Sequence, residues 1–111
     1  DAYVALAEAS LRGTGYTAIA THDAAIVARL ERTIEALALP RRGRFEFQLL
    51  YGIAAPLACA LRDRGYRVRL AIPFGTDWFP YLMRRLAERP ANLAFFLKGA
   101  FVRHQRAGDL R

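Results

Sequence analysis

Arg44-Phe45-Glu46-Phe47-Gln48-Leu49-Leu50 alternates one side chain at a time, with Phe45, Phe47 and Leu49 set against Arg44, Glu46 and Gln48. Successive side chains of an extended chain point to opposite faces, so this stretch reads as a strand with two unlike faces. Arg67 to Ile72 repeats the pattern, with Val68, Leu70 and Ile72 against Arg67, Arg69 and Ala71, and Tyr16 to Ala20 reads as a third, shorter strand. Helical patterns fill the intervals. Asp23 is placed to cap a helix whose apolar residues Ile26, Val27, Leu30, Ile34 and Leu37 recur at three and four, ending before Pro40. A turn at Tyr51-Gly52 leads to a helix with Pro56 in its first turn and Gly65 just past its end. Pro73 and Gly75 make the next loop, and Asp77 caps a last helix running to about Glu88. Ahead of all this, Ala2 to Leu11 is a helix with Val4, Leu6, Ala7 and Leu11 on one face, stopped by Gly13 and Gly15. The order is one helix, then three strand–helix units.

Strands separated by single helices pair in parallel through right-handed crossovers, which makes the chain α/β. A closed barrel of this kind takes about 250 residues and eight strands. With 111 residues, the chain is either a small open α/β domain or part of a barrel. The strand faces bear on the choice. Strands covered by helices on both sides are apolar on both faces, whereas Glu46, Gln48, Arg67 and Arg69 occupy one face here. A barrel lumen holding a ligand or an ion pair such as Glu46 with Arg69 fits that pattern, and so does a half-exposed sheet whose charges meet water.

Composition narrows the classes. Apolar residues make up 54% of the chain, which excludes disorder. No stretch approaches the roughly 20 apolar residues of a membrane helix, since Lys98 interrupts Leu93 to Val102. The chain starts at Asp1 with no signal-like segment, as expected of an internal or C-terminal piece of a longer protein. Its single cysteine, Cys59, excludes an internal disulfide or a cysteine metal site; the expectation is an inert core thiol in a reducing compartment. The net charge is +7, with sixteen of seventeen cations arginine. These are scattered, Arg41-Arg42-Gly43-Arg44 reads as a solvated loop, and the tail with Lys98, Arg103, Arg106 and Arg111 reads as a solvated terminus, so nucleic-acid binding is not expected.

Two constellations stand out. At about 100° per residue, the last helix gathers Phe79, Leu82, Met83 and Leu86 on a packing arc and Trp78, Tyr81, Arg84, Arg85 and Glu88 on the opposite one. Adjacent guanidiniums offer planar, charge-assisted donors to one small carboxylate or phosphate. The alternative is a solvated face with Arg85 and Glu88 as a helical ion pair. Thr21-His22-Asp23 follows the first strand directly, at the strand end where parallel α/β proteins bind ligands. His22 is there either as a ligand contact or as a local hydrogen-bonder. Metal-ligand clusters, nucleophile elbows and Gly-rich phosphate loops are missing, and His104 has no partner pattern.

Ala20-Thr21-His22-Asp23, Glu46-Phe47-Gln48-Leu49-Leu50-Tyr51-Gly52 and Tyr81-Leu82-Met83-Arg84-Arg85-Leu86-Ala87-Glu88 together resemble the C-terminal third of the proline dehydrogenases, over about Tyr16 to Leu97. The resemblance implies a partial (β/α)8 TIM barrel, its last three strand–helix units lying within residues 1–97, followed by a basic tail over 98–111. It further implies FAD as cofactor and oxidation of L-proline to 1-pyrroline-5-carboxylate by hydride transfer to flavin N5. Electrons would pass to a quinone, and a pyrroline-5-carboxylate dehydrogenase would be a partner. By the same resemblance Arg84 and Arg85 bind the proline carboxylate, Tyr81 packs near the substrate ring and Leu50 lines the pocket, while Thr21, His22 and Glu88 contact FAD. A cytoplasmic location, peripheral to the inner membrane, goes with it. Asp23 departs from the family, where Asn is frequent, without losing its capping role. The competing reading is a small basic α/β module that binds an acidic partner or nucleic acid through its arginines.

Overall fold

Three parallel strands, β1 (Thr17–Ala20), β2 (Phe45–Leu50) and β3 (Val68–Ala71), form one sheet in the order β1-β2-β3. The computed structural model describes residues 1–87; Glu88, His104 and the basic tail from Lys98 to Arg111 lie outside them. In register, Thr17 faces Phe45, Ile19 faces Phe47, Phe47 faces Val68 and Leu49 faces Leu70. One side of the sheet is thereby lined by Thr17, Ile19, Phe45, Phe47, Leu49, Val68 and Leu70. The other carries Ala18, Ala20, Glu46, Gln48, Leu50, Arg69 and Ala71.

The apolar side is covered by helices α1 (Ala2–Arg12), α2 (Ala24–Ala36) and α3 (Ala55–Asp63). Val4, Leu11, Val27, Leu30, Ile34, Ala58 and Leu61 meet Ile19, Phe45, Phe47 and Leu49 in one core, with Tyr66 closing it. The Phe47 and Tyr66 rings meet edge to face at 5.3 Å, a geometry favoured by their quadrupoles. Local chemistry sets the helix ends. Asp23 Oδ1 accepts from the amides of Ala25 (2.8 Å) and Ile26 (3.3 Å), satisfying N–H groups that α2 leaves unpaired. Gly65 adopts φ +89 immediately after the α3 cap Arg64, a conformation that costs glycine nothing. Ala38 takes the corresponding left-handed position after α2 at φ +51, without that freedom.

Four expectations are corrected by the packing. Leu6 is 72% exposed; two residues beyond Val4, it lies about 200° around α1 from the buried side. Cys59 is exposed rather than core, because Ala58 and Leu61 point α3 inward and residue 59 falls between them on the outer face. Strand β3 is shorter than its alternating pattern, and Leu70 and Ile72 are exposed. The reason lies in the last helix, α4 (Trp78–Ala87). It packs through Leu82 and Met83 against Leu50 and Ile53 at the end of β2, while Phe79, the first residue of the expected packing arc, remains exposed.

Candidate functional site at the strand ends

Each strand projects its C-terminal end into the same rim, and Leu50 is the residue on which the candidate segments converge. In a strand, successive N–H groups point to opposite neighbours. Phe47 N and Tyr51 N donate to Arg67 O (3.0 Å) and Ala71 O (2.9 Å) on the β3 side, so the intervening Leu50 N–H points toward β1. There β1 has already ended. The Leu50 amide, beyond the last paired residue of β1, donates to His22 Nε2 at 2.8 Å, while on the other edge of β1 the Ala20 carbonyl accepts from the Tyr3 hydroxyl at 3.0 Å.

That bond defines the state of the ring. With Nε2 an acceptor, the proton of neutral His22 resides on Nδ1. Partial burial pushes the His22 pKa below its ordinary value, because a charged imidazolium is poorly solvated there. Thr21, also half-buried, accepts the Asp23 amide through Oγ1 at 3.2 Å and so shapes the turn that carries the ring. His22 thus offers an N–H donor edge beside a hydroxyl, next to the Asp23-capped first turn of α2.

On the other side of Leu50, its side chain and Ile53 seat α4 through Leu82 and Met83. About 100° per residue puts Tyr81 and Arg84 on the arc facing away from that seat and Arg85 on its flank. All three are exposed, and the Arg85 guanidinium lies 5.3 Å from the centre of the Tyr81 ring, within cation–π range. Trp78 and Phe79 pack edge to face at 5.6 Å near the start of the helix.

The polar face of the sheet runs up to the same rim. Glu46, buried in the middle strand, accepts from Arg69 Nε (2.7 Å) and Nη2 (3.1 Å), from Gln48 Nε2 (2.7 Å) and from the Tyr16 hydroxyl (2.9 Å). Hydrogen bonding from Arg69 first, then from Gln48, lowers the Glu46 pKa to about 2, against the opposing effect of burial. The Glu46–Arg69 pair was legible as two charges on one face of adjacent strands. Tyr16 was not, because nothing local marks a residue before a strand as a partner for one 30 positions on. Exposed alanines 18, 20 and 71 flank this polar ridge and keep the ground beside it low.

The structure therefore brings His22, Leu50 and the seat of α4 together, and sets Arg84 and Arg85 side by side on that helix. Glu88 lies outside the described residues. Among the described residues no cluster of His, Cys, Asp or Glu suits a metal ion. Two surface hollows among the described residues lie elsewhere. A groove of about 480 Å³ is lined by Arg12, Arg29 and Arg32 between α1 and α2, and one of about 100 Å³ opens beside Phe45, at the opposite end of the strands.

Helix-backed parallel strands define an α/β protein, a class whose ligands bind at the C-terminal ends of the strands. The chain belongs to the proline dehydrogenase family: the family model described as proline dehydrogenase matches residues 1–98. The match includes α1, ahead of the Tyr16 at which the motif resemblance starts. Proline dehydrogenase 1 of Bacillus subtilis (strain 168) is 47% identical over 97 residues, covering 87% of this chain and 32% of the relative. Proline dehydrogenase of Deinococcus radiodurans is 44% identical over 89 residues, 80% of this chain and 28% of its own. Proline dehydrogenase 1, mitochondrial, of Arabidopsis thaliana is 32% identical over 98 residues, 85% and 20% respectively. The chain thus spans a third or less of the length of these relatives. Family membership favours the enzyme over the small basic module.

Proposed function

We propose that this chain is the rim-forming C-terminal part of a (β/α)8 barrel that, in the full-length protein, oxidises L-proline to 1-pyrroline-5-carboxylate with FAD as cofactor. Family membership gives the substrate class, and one observation supports the residue assignment. Leu50 holds His22 through its amide and α4 through its side chain, so the cofactor-side and substrate-side segments share a single strand end.

The donor set suits the cofactor. His22 Nδ1–H and the Thr21 hydroxyl offer hydrogen bonds side by side at the head of α2, whose first amides Asp23 already caps. The low surface over alanines 18, 20 and 71 leaves room for a planar ring system. Thr21 and His22 would hold FAD, with Glu88 assigned to it by family resemblance. Bound flavin supplies the two-electron acceptor. The protein's own part is placement. Arg84 and Arg85 pair with the substrate carboxylate, Tyr81 offers a ring face beside Arg85, and Leu50 gives the pocket an apolar wall. Glu46 and Arg69 neutralise each other within the sheet and hold its polar face rigid beneath that site.

Electrons then pass to a quinone, and a pyrroline-5-carboxylate dehydrogenase takes the product. No helix among the described residues is long and apolar enough to cross a membrane. In this reading the full-length protein is cytoplasmic and meets the quinone by peripheral contact with the inner membrane. The deciding experiment is an absorption spectrum and a proline-dependent dye reduction assay on the full-length protein. Flavin bands that bleach on adding proline are expected. A colourless protein inert toward proline would overturn the proposal.

A further inference from the structure

His22 occupies a position that a cofactor contact alone does not explain. Its Nε2 is spent on the Leu50 amide at 2.8 Å, leaving only the Nδ1 edge for any ligand. The parallel register pairs Ala20 with Gln48, so the ladder position that would face the Leu50 amide is Thr21, one residue past the end of β1. The imidazole therefore stands in for a missing strand residue and terminates the ladder. What it terminates is also what α4 rests on, since Leu50 and Ile53 are the buried pair against which Leu82 and Met83 pack. Among its other described residues, Trp78, Phe79 and Tyr81 are all 41% exposed or more.

We propose that His22 is a positioning residue for the substrate side: by accepting the Leu50 amide through Nε2, it holds the end of β2 in place and thereby sets where α4 carries Arg84 and Arg85. The role of those arginines rests on the function proposed above; the coupling from His22 to α4 does not. A near-fixed helix matters because two guanidiniums address one small carboxylate only from a narrow range of positions. Without an acceptor at Nε2, the Leu50 N–H has no partner on the β1 side, and the strand end relaxes toward water. The seat of α4 moves with it.

Two amide replacements separate the two edges of the ring. In His22→Gln the carboxamide reaches to where Nε2 lies and accepts the Leu50 N–H; in His22→Asn it reaches only to the Nδ1 position. In the full-length protein all three replacements also alter the flavin contact, so the comparison is among the variants: His22→Asn and His22→Ala are expected to raise the proline KM about tenfold or more above that of His22→Gln. Amide hydrogen exchange across residues 78–87 is expected to accelerate in the Asn and Ala variants and not in Gln. This second readout needs no activity, so it tests the coupling even if the protein proves inert toward proline. A ranking in which Gln does not stand above Asn, or exchange across 78–87 that is indifferent to all three replacements, overturns the inference.

Discussion

The backbone amide of Leu50 donates to His22 Nε2 across a gap of 28 positions in the chain, at 2.8 Å. A side chain from the turn after β1 thus completes the hydrogen bonding of β2, and the two ends cannot move independently. Leu50 also seats α4. One residue consequently joins a strand end, a loop and a helix that carries the two arginines.

Replacing either arginine tests the carboxylate clamp. Both guanidiniums are exposed, so Arg84→Met or Arg85→Met leaves packing at Leu82 and Met83 intact. In the full-length enzyme each should raise the proline requirement by about a hundredfold or more while flavin stays bound, since charge-assisted pairing to the substrate is lost. Steady-state kinetics beside a flavin-to-protein absorbance ratio reads both quantities. Unchanged kinetics in both variants would remove the clamp.

The acid limb of stability should belong in part to Glu46. Its pKa falls from 4.5 to about 2 on folding, principally through Arg69. The unfolded chain therefore binds a proton that the folded chain refuses between those values, and the contribution, complete above about pH 5, is lost as pH drops toward 2. Glu46→Gln should lower stability near neutral pH by about 2 kcal/mol, the scale of hydrogen bonds to a charged group. Thermal midpoints across this range should fall less steeply in the variant, and parallel curves would refute the assignment.

His22 acts at higher pH. Burial lowers its pKa in the folded protein, so the unfolded chain takes up the proton first as pH falls through the ordinary value near 6.5. Stability is then lost on acidification below about pH 7. His22→Gln, which keeps an acceptor and cannot titrate, should flatten this segment of the profile without altering the one assigned to Glu46.

Ala38 offers a gain. It holds φ +51 after the last turn of α2, where its amide donates to Glu35 O at 3.0 Å and that of Leu39 to Ile34 O at 3.1 Å. Glycine adopts that geometry without the Cβ clash, although it adds freedom to the unfolded chain. Ala38→Gly is expected to stabilise by roughly 0.5–1 kcal/mol in denaturant unfolding; a loss of stability would mean that the left-handed turn is not retained in solution.

The 111-residue chain alone should associate. β1 and β3 each have one unpaired edge within the described residues, and Leu70, Ile72, Phe74 and Phe79 are exposed beside them. Light scattering and binding of a hydrophobic dye should report oligomers or a loosely packed state. A monomer with a single sharp unfolding transition would point to an independently stable domain instead.

Much of this architecture is written in local chemistry. Alternation in Phe45 to Leu50 and Val68 to Ala71 specifies two-faced strands, Asp23 and Gly65 mark helix ends, and charges on matching faces of neighbouring strands announce the Glu46–Arg69 pair. Cys59 and Leu6 were misplaced because a residue type says less about burial than its angle on the helix does. The motifs around His22 and Arg84 were likewise visible as motifs, but their relation was not.

Residue types and their spacing were enough to dictate the elements, their order and the family, because caps, turns and alternation act over a few residues. Packing alone decided that α4 settles at the end of β2 instead of over β3, that Tyr16 reaches Glu46, and that His22 becomes an acceptor for Leu50. Those contacts join groups some 30 positions apart, and which donor meets which acceptor depends on where the strands end once the core has closed.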